Sequence, residues 1–132
     1  MEIKPNFSKY PGEKNTQFKV SFGTLDGSQI MECPICSFEF THIEQVSTYS
    51  REDDETIHLE TNIDLRDKKV VTNVVNGFGN NPSARRNGLI LHGYCESEQG
   101  CRFDIEIYQH KGNTFVNSFF KGNRKENNET II

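Results

Sequence analysis

The chain has no tryptophan, a single alanine (Ala84) and only five leucines in 132 residues. Uncharged residues that favour helices are therefore nearly missing, and a helical bundle is excluded. No apolar run approaches the roughly 20 residues that a membrane-spanning helix needs. There is no basic excess either. The formal net charge is −4 at pH 7, which argues against a general nucleic-acid binder while leaving room for a local basic patch. No Ser/His/Asp order, phosphate-cradling glycine loop or H-E-x-x-H pair occurs. Hydrophobic residues make up 33%, and counting glycine still leaves the apolar share below the ~45–50% usual for a globular domain. A core this thin gains from a metal staple. The opening Met1-Glu2-Ile3-Lys4-Pro5 holds no apolar leader segment, so a cytoplasmic setting with reduced cysteines is expected.

What is present favours strands. Ten Phe, four Tyr, eleven Ile and seven Val suit a pleated, half-buried surface. The expected fold class is all-β, an antiparallel sheet with a long inserted β-hairpin. Residues 1–16 read as an N-terminal arm, 17–120 as one β domain and 121–132 as a polar tail. Gln17 to Phe22 alternates, with Phe18, Val20 and Phe22 on one face, and Gly23 to Gly27 reads as a turn into a return strand ending at Glu32. Further strands are expected at 38–49, 56–63, 70–75, 89–94, 102–108 and 114–120. Ile57, Leu59 and Ile63 should share an inner face, as should Phe103, Ile105 and Ile107. The acidic run Glu52-Asp53-Asp54-Glu55 reads as a turn. Residues 76–88, rich in Gly, Pro and Asn, read as a loop long enough to be functional or mobile.

The four cysteines fall into two short-range pairs, Cys33-Pro34-Ile35-Cys36 and Cys95 with Cys101. Four thiolates so paired can close a tetrahedron around a structural Zn2+. Pro34 stiffens the first turn and Gly100 lets the second bend. The gap from Cys36 to Cys95 far exceeds the ~15–20 residues of a minimal ribbon, so a hairpin or small sheet must be inserted between the pairs. The competing readings are two disulfides, buried free thiols or a redox C-x2-C, the last without its usual βαβ context. His92 would replace Cys101 if that thiol faced away, and His42 is a further substitute. His58 and His110 read as exposed strand or turn residues.

The series Cys33-Pro-Ile-Cys36 with Thr41-His42, the loop Asn81 to Arg86, Gly93-Tyr94-Cys95-Glu96 and Gln109 to Thr114 resembles small uncharacterised phage and bacterial zinc-ribbon proteins, over roughly residues 33–120. The resemblance implies a zinc-bound β domain without an established activity and, in a phage setting, a protein that inhibits or redirects a host machine. The C-x5-C second pair departs from the C-x2-C of a ribbon.

A closed four-thiolate site has no open position to activate water, so a non-enzymatic module that contacts a protein partner is expected. The contact residues would be Arg85, Arg86 and Phe78, the last lying between two glycines and able to insert into a partner or fold back over the core. The alternative is nucleic-acid contact through the 76–88 loop, with Phe78 for stacking and Lys111, Lys121, Arg124 and Lys125 for phosphates. A third possibility is an enzyme with a second metal held by residues 52–55 and His58. No membrane association is expected.

Overall fold

The structure is a computed structural model that describes residues 20–52, 55–77 and 79–123. The arm at 1–16, the first residues of the strand expected from Gln17, Phe78, and Arg124 and Lys125 of the tail lie outside the described residues, as do Asp53 and Asp54. Within them the fold is all-β and antiparallel. Eight strands form two sheets: β1 (Ser21–Leu25), β2 (Ser28–Glu32), β3 (Thr41–Ser50), β4 (Ile57–Asp64), β5 (Lys69–Asn76), β6 (Gly88–Cys95), β7 (Cys101–His110) and β8 (Asn113–Asn123). β1 and β2 form a hairpin of their own. The other six form one sheet in the order β5-β4-β3-β6-β7-β8. No described helix is long and apolar enough to cross a membrane.

The hairpins close by local chemistry. Asp26 and Gly27 both have positive φ (53° and 81°), as do Lys111 and Gly112 (52° and 83°). Two consecutive left-handed residues make the turn whose twist matches that of antiparallel strands. Leu25 therefore pairs with Ser28, and His110 with Asn113. Between β4 and β5 the Asp64 carboxylate accepts the N–H groups of Arg66 and Asp67, both at 3.0 Å.

The sheet consists of two three-stranded meanders, β3–β5 and β6–β8, joined where β3 pairs with β6. The chain must cross back from the β5 edge to reach that position. The crossing segment is the expected loop, and hydrogen bonds anchor its residues 81–86. Asn81 and Ser83 are fully buried. Ser83 donates its hydroxyl to the Gln109 carbonyl at 2.7 Å, while Arg51 donates to the Ala84 carbonyl, also at 2.7 Å. The Asn81 amide donates to the Arg86 carbonyl at 2.9 Å. A buried loop must satisfy its backbone polar groups, and these side chains do so.

Two core regions result. On one face Cys33, Cys95, Cys101, Phe103 and Ile105 are buried, with Val20, Met31, Ile35, Leu91, Ile107 and Phe120 packed around them. The β1–β2 hairpin and the knuckle after it supply the covering layer at this end. On the other face Tyr49, Ile90, Tyr108 and Phe119 are buried.

Several expected details are corrected. Ile57 and Leu59 point outward, and His58 between them is buried. The hairpin layer reaches only the cysteine end of their face, whereas the opposite face lies under the crossing loop, with Gly79 over the His58 ring. His110 is buried too, beside the Phe115 ring. β3 starts at Thr41, leaving Phe38 and Phe40 exposed before it in an edge-on pair 5.7 Å apart. β8 runs on to Asn123, into the stretch read as tail.

Gly93 is a tight point of the central strands. A Cβ there would sit 2.5 Å from the His42 carbonyl oxygen and 2.9 Å from the Phe103 ring. Gly93→Ala is expected to cost about 1–3 kcal/mol through overpacking, read as a lower urea midpoint at unchanged slope.

Candidate metal centre

The first knuckle follows directly from β2. The Cys33 N–H donates to the Phe38 carbonyl and the Ser37 N–H to the Cys33 carbonyl, both at 2.8 Å. Ser37 takes a positive φ of 68° to close this turn. The fold-back aims local amides at sulfur, and the Ile35 N–H donates to Cys33 Sγ at 3.4 Å.

The second pair ends β6 and begins β7, so neighbouring strands bring Cys95 and Cys101 together. The turn between them closes with the Gly100 N–H donating to the Ser97 carbonyl at 2.9 Å, and Gly100 has φ 62°. The two turns are stitched together where the Glu96 N–H donates to the Phe40 carbonyl at 3.0 Å.

All four cysteines are free thiols, and their sulfurs lie within 4.8 Å of one another. Cys33, Cys95 and Cys101 are buried, while Cys36 is exposed. Cys36 Sγ and Cys95 Sγ are 3.7 Å apart. A tetrahedral zinc with bonds of about 2.3 Å sets its sulfurs about 3.8 Å apart, so the donor set and its spacing fit a metal ion of that kind.

The sulfurs are electrostatically unequal. Burial opposes a charge on Cys95, but the Ser97 hydroxyl and N–H, the Cys101 N–H and the Cys36 thiol outweigh it and bring its pKa down to about 7. Burial pushes Cys33 up to about 12, against the N–H groups of Cys36 and Ile35, with the neighbouring Cys95 adding to the rise. Cys101 is also raised, first by burial and then by the other three sulfurs. Four sulfurs this close cannot all ionise without a cation, and a divalent metal removes that conflict.

Ser97, which the sequence reading passed over, is the polar hub of the site. Its Oγ lies 3.1 Å from Cys95 Sγ and 3.7 Å from Cys36 Sγ, and it accepts the Gly100 N–H at 3.4 Å. The signal available was a hydroxyl residue opening a tight turn, a local hydrogen-bonding habit of serine.

Neither substitute histidine joins the cluster. His42 is exposed, stacked on Tyr94 with ring centroids 5.0 Å apart and bonded to Glu96. His92 faces the other side of the sheet. Its Nδ1 is 2.7 Å from Asp104 Oδ1 and its Nε2 is 3.0 Å from Ser47 Oγ. This Ser47–His92–Asp104 row was not foreseen, since its members come from three strands. It has the atoms of a nucleophile relay. Ser47 donates to Asn62 Oδ1 at 2.6 Å, while the Asn62 amide nitrogen turns to Glu60 at 3.4 Å. Ser47 has one proton for two acceptors, Asn62 Oδ1 and, with Nδ1–H turned to Asp104, His92 Nε2. Lys121 Nζ, 3.5 Å from Asp104 Oδ1, balances the buried carboxylate. The row satisfies polar groups across the sheet.

The expected contact residues divide. Arg85 and Arg86 are exposed on the crossing loop, at the far end of β6 from Cys95. That separation is about 25 Å along eight residues of strand. Ser83 Oγ fixes their backbone by accepting the N–H groups of Arg85 and Arg86 at 3.3 and 2.9 Å. A cavity of about 310 Å3 beside them is lined by Arg51, Glu52, Arg86, Asn87 and Gln109. The cysteines and the arginines thus form two separate regions. No protein-family model, curated protein or solved structure matches the chain.

His58 is a buried base whose ring nitrogens have no hydrogen-bond partner among the described residues. Burial, helped by Arg51 and opposed by Glu60, holds its pKa below the ordinary 6.5. The unfolded chain takes up a proton near pH 6.5 that the folded ring resists. Stability is therefore full above that pH and falls as pH drops toward the lowered folded value. His58→Leu is expected to flatten this fall between pH 7 and 5 in chemical-denaturation curves, with little loss at pH 7 because no hydrogen bond is removed.

Proposed function

We propose that Cys33, Cys36, Cys95 and Cys101 hold one structural zinc ion, and that the domain so pinned acts as a non-enzymatic module contacting a protein partner. The observation that carries the reading is the meeting of four free thiols, from two distant parts of the chain, at the sulfur spacing of a zinc tetrahedron. When bound, the ion would neutralise the thiolates and cross-link the knuckle to the β6–β7 turn. Four sulfur ligands leave it no position for water, which supports a scaffold over a catalyst. Exposed Phe22, Phe38 and Phe40, with Leu25 at the tip of the β1–β2 hairpin, and the rigidly held Arg85 and Arg86 supply apolar and charged surface for a partner. A small phage-type protein acting on a host machine is the biological setting we propose.

The second reading is nucleic-acid contact through the crossing loop. The cavity beside Arg86 favours it, because Arg51, Asn87 and Gln109 join Arg86 in its wall and add donors suited to a phosphate. The acidic Glu52 in the same wall and the net charge of −4 weigh toward the protein-partner reading.

Metal analysis of the purified chain is expected to give one zinc per molecule, and Cys95→Ser is expected to lose both the metal and cooperative unfolding. Native melting of Cys33→Ser without metal would contradict the reading. Binding must displace protons from the raised thiols Cys33 and Cys101, so affinity in a competitive chelator titration should rise with pH. Arg85→Ala with Arg86→Ala should change stability by no more than about 0.5 kcal/mol. The same pair should weaken partner retention from host extract if the loop is the contact surface, and retention at the wild-type level would rule the loop out. Binding to single-stranded DNA or RNA that falls steeply with salt would favour the second reading.

A further inference from the structure

Strand β5 closes one side of the six-stranded sheet, and among the described residues it has a strand neighbour only in β4. Its sequence is Lys-Val-Val-Thr-Asn-Val-Val-Asn. Every residue of it except Val75 is exposed. Val70, Val71 and Val74 are 63%, 53% and 71% exposed. Proteins blunt such an edge with proline, a bulge, a central charge or a very short strand. β5 has none of these: its pairing to β4 runs unbroken from Lys69 to Asn76, and its only charge is Lys69 at one end. An unbroken, β-branched edge of this length is a template for another strand.

We propose that the β5 edge pairs antiparallel with β5 of a second copy of this chain, joining two sheets across a two-fold axis at Thr72. The argument rests on self-complementarity. A two-fold axis normal to the sheet keeps each face continuous, so a residue must meet one of its own parity. With the axis at Thr72, Val70 lies opposite Val74 of the other copy, and Val74 opposite its Val70. Thr72 meets Thr72, Val71 meets Asn73, and Lys69 meets Val75. The two most exposed valines of the strand thus cover one another on the same face. That face continues inward to Leu59 and Ile63, the β4 partners of Val74 and Val70. Thr61 Oγ1 and Thr72 Oγ1 are already 3.1 Å apart, so the threonine ladder continues across the axis. No like charges are placed opposite each other, because the two Lys69 residues stand at opposite ends of the junction. Cross-strand pairs of β-branched residues favour this register.

The test is sedimentation of the full chain with two double variants. Wild type is expected to sediment as a dimer at tens of micromolar, with dissociation on dilution. Val70→Lys with Val74→Lys sets lysines opposite lysines, and Val70→Glu with Val74→Glu sets glutamates opposite glutamates. Each should weaken its dimer at least about tenfold. Both variants alter exposed positions, so at a dilution where wild type is monomeric each should keep its cooperative unfolding transition. An equal mixture should restore the dimer as a lysine–glutamate heterodimer, which a misfolded variant could not do. A monomeric wild type at about 100 micromolar would overturn the proposal. So would either variant dimerising as tightly as wild type, or a mixture that stays monomeric.

Discussion

The convergence of sulfur on one point organises this fold. The six-stranded sheet is built almost entirely by neighbour-to-neighbour pairing, but nothing in that pairing holds the β1–β2 hairpin against it. The hairpin is a separate sheet, and its exit leads straight to Cys33. Among the described residues, the packing around Cys33, Cys95 and Cys101, with Met31 and Ile35 beside them, and the Thr41 hydroxyl donating to the Met31 carbonyl at 3.3 Å attach it. The thin apolar composition makes sense in that light. Phe103 and Ile105 are buried beneath the thiols, where one cross-link can reinforce them, while Tyr49, Ile90, Tyr108 and Phe119 are buried on the opposite face.

The opposite face follows a different logic. It buries Ser47, His58, Asp104 and Glu106 along with Tyr49 and Tyr108. Polar groups in such a place must find partners, and most find them across strands, as in the row from Asn62 through Ser47 and His92 to Asp104 and Lys121. A bare set of serine, histidine and aspartate is therefore poor evidence of catalysis. Which atom holds each proton decides whether the row activates a nucleophile or merely satisfies a strand.

Much of this was legible in the sequence. The scarcity of alanine and leucine against many β-branched and aromatic residues announced an all-β chain, and two close cysteine pairs announced the cluster. Asp26-Gly27 and Lys111-Gly112 marked their hairpins because only a few residue types tolerate positive φ. Which face of β4 is buried was not legible. Alternation at Ile57, Leu59 and Ile63 identifies a strand, but the buried side depends on what lies over it, and the covering loop is placed by Arg51 after β3 and by its own Asn81 and Ser83. The row around His92 was hidden for the same reason, since its members share a register and not a segment. Ser97 was hidden by brevity: one hydroxyl inside a five-residue spacer carries no pattern.

The long crossover between the meanders has a consequence for how the chain comes into being. Cys36 and Cys95 are 59 positions apart, and the strands that bring them together, β3 and β6, are themselves separated by the whole β4–β5 hairpin. Closing so large a loop costs entropy before any contact repays it. On a ribosome the first knuckle emerges long before its counterpart exists, so an ion captured early would sit in a half-filled coordination sphere until β7 is made. Maturation of the centre is thereby tied to completion of the sheet, and a chain cut short before β7 would never finish it.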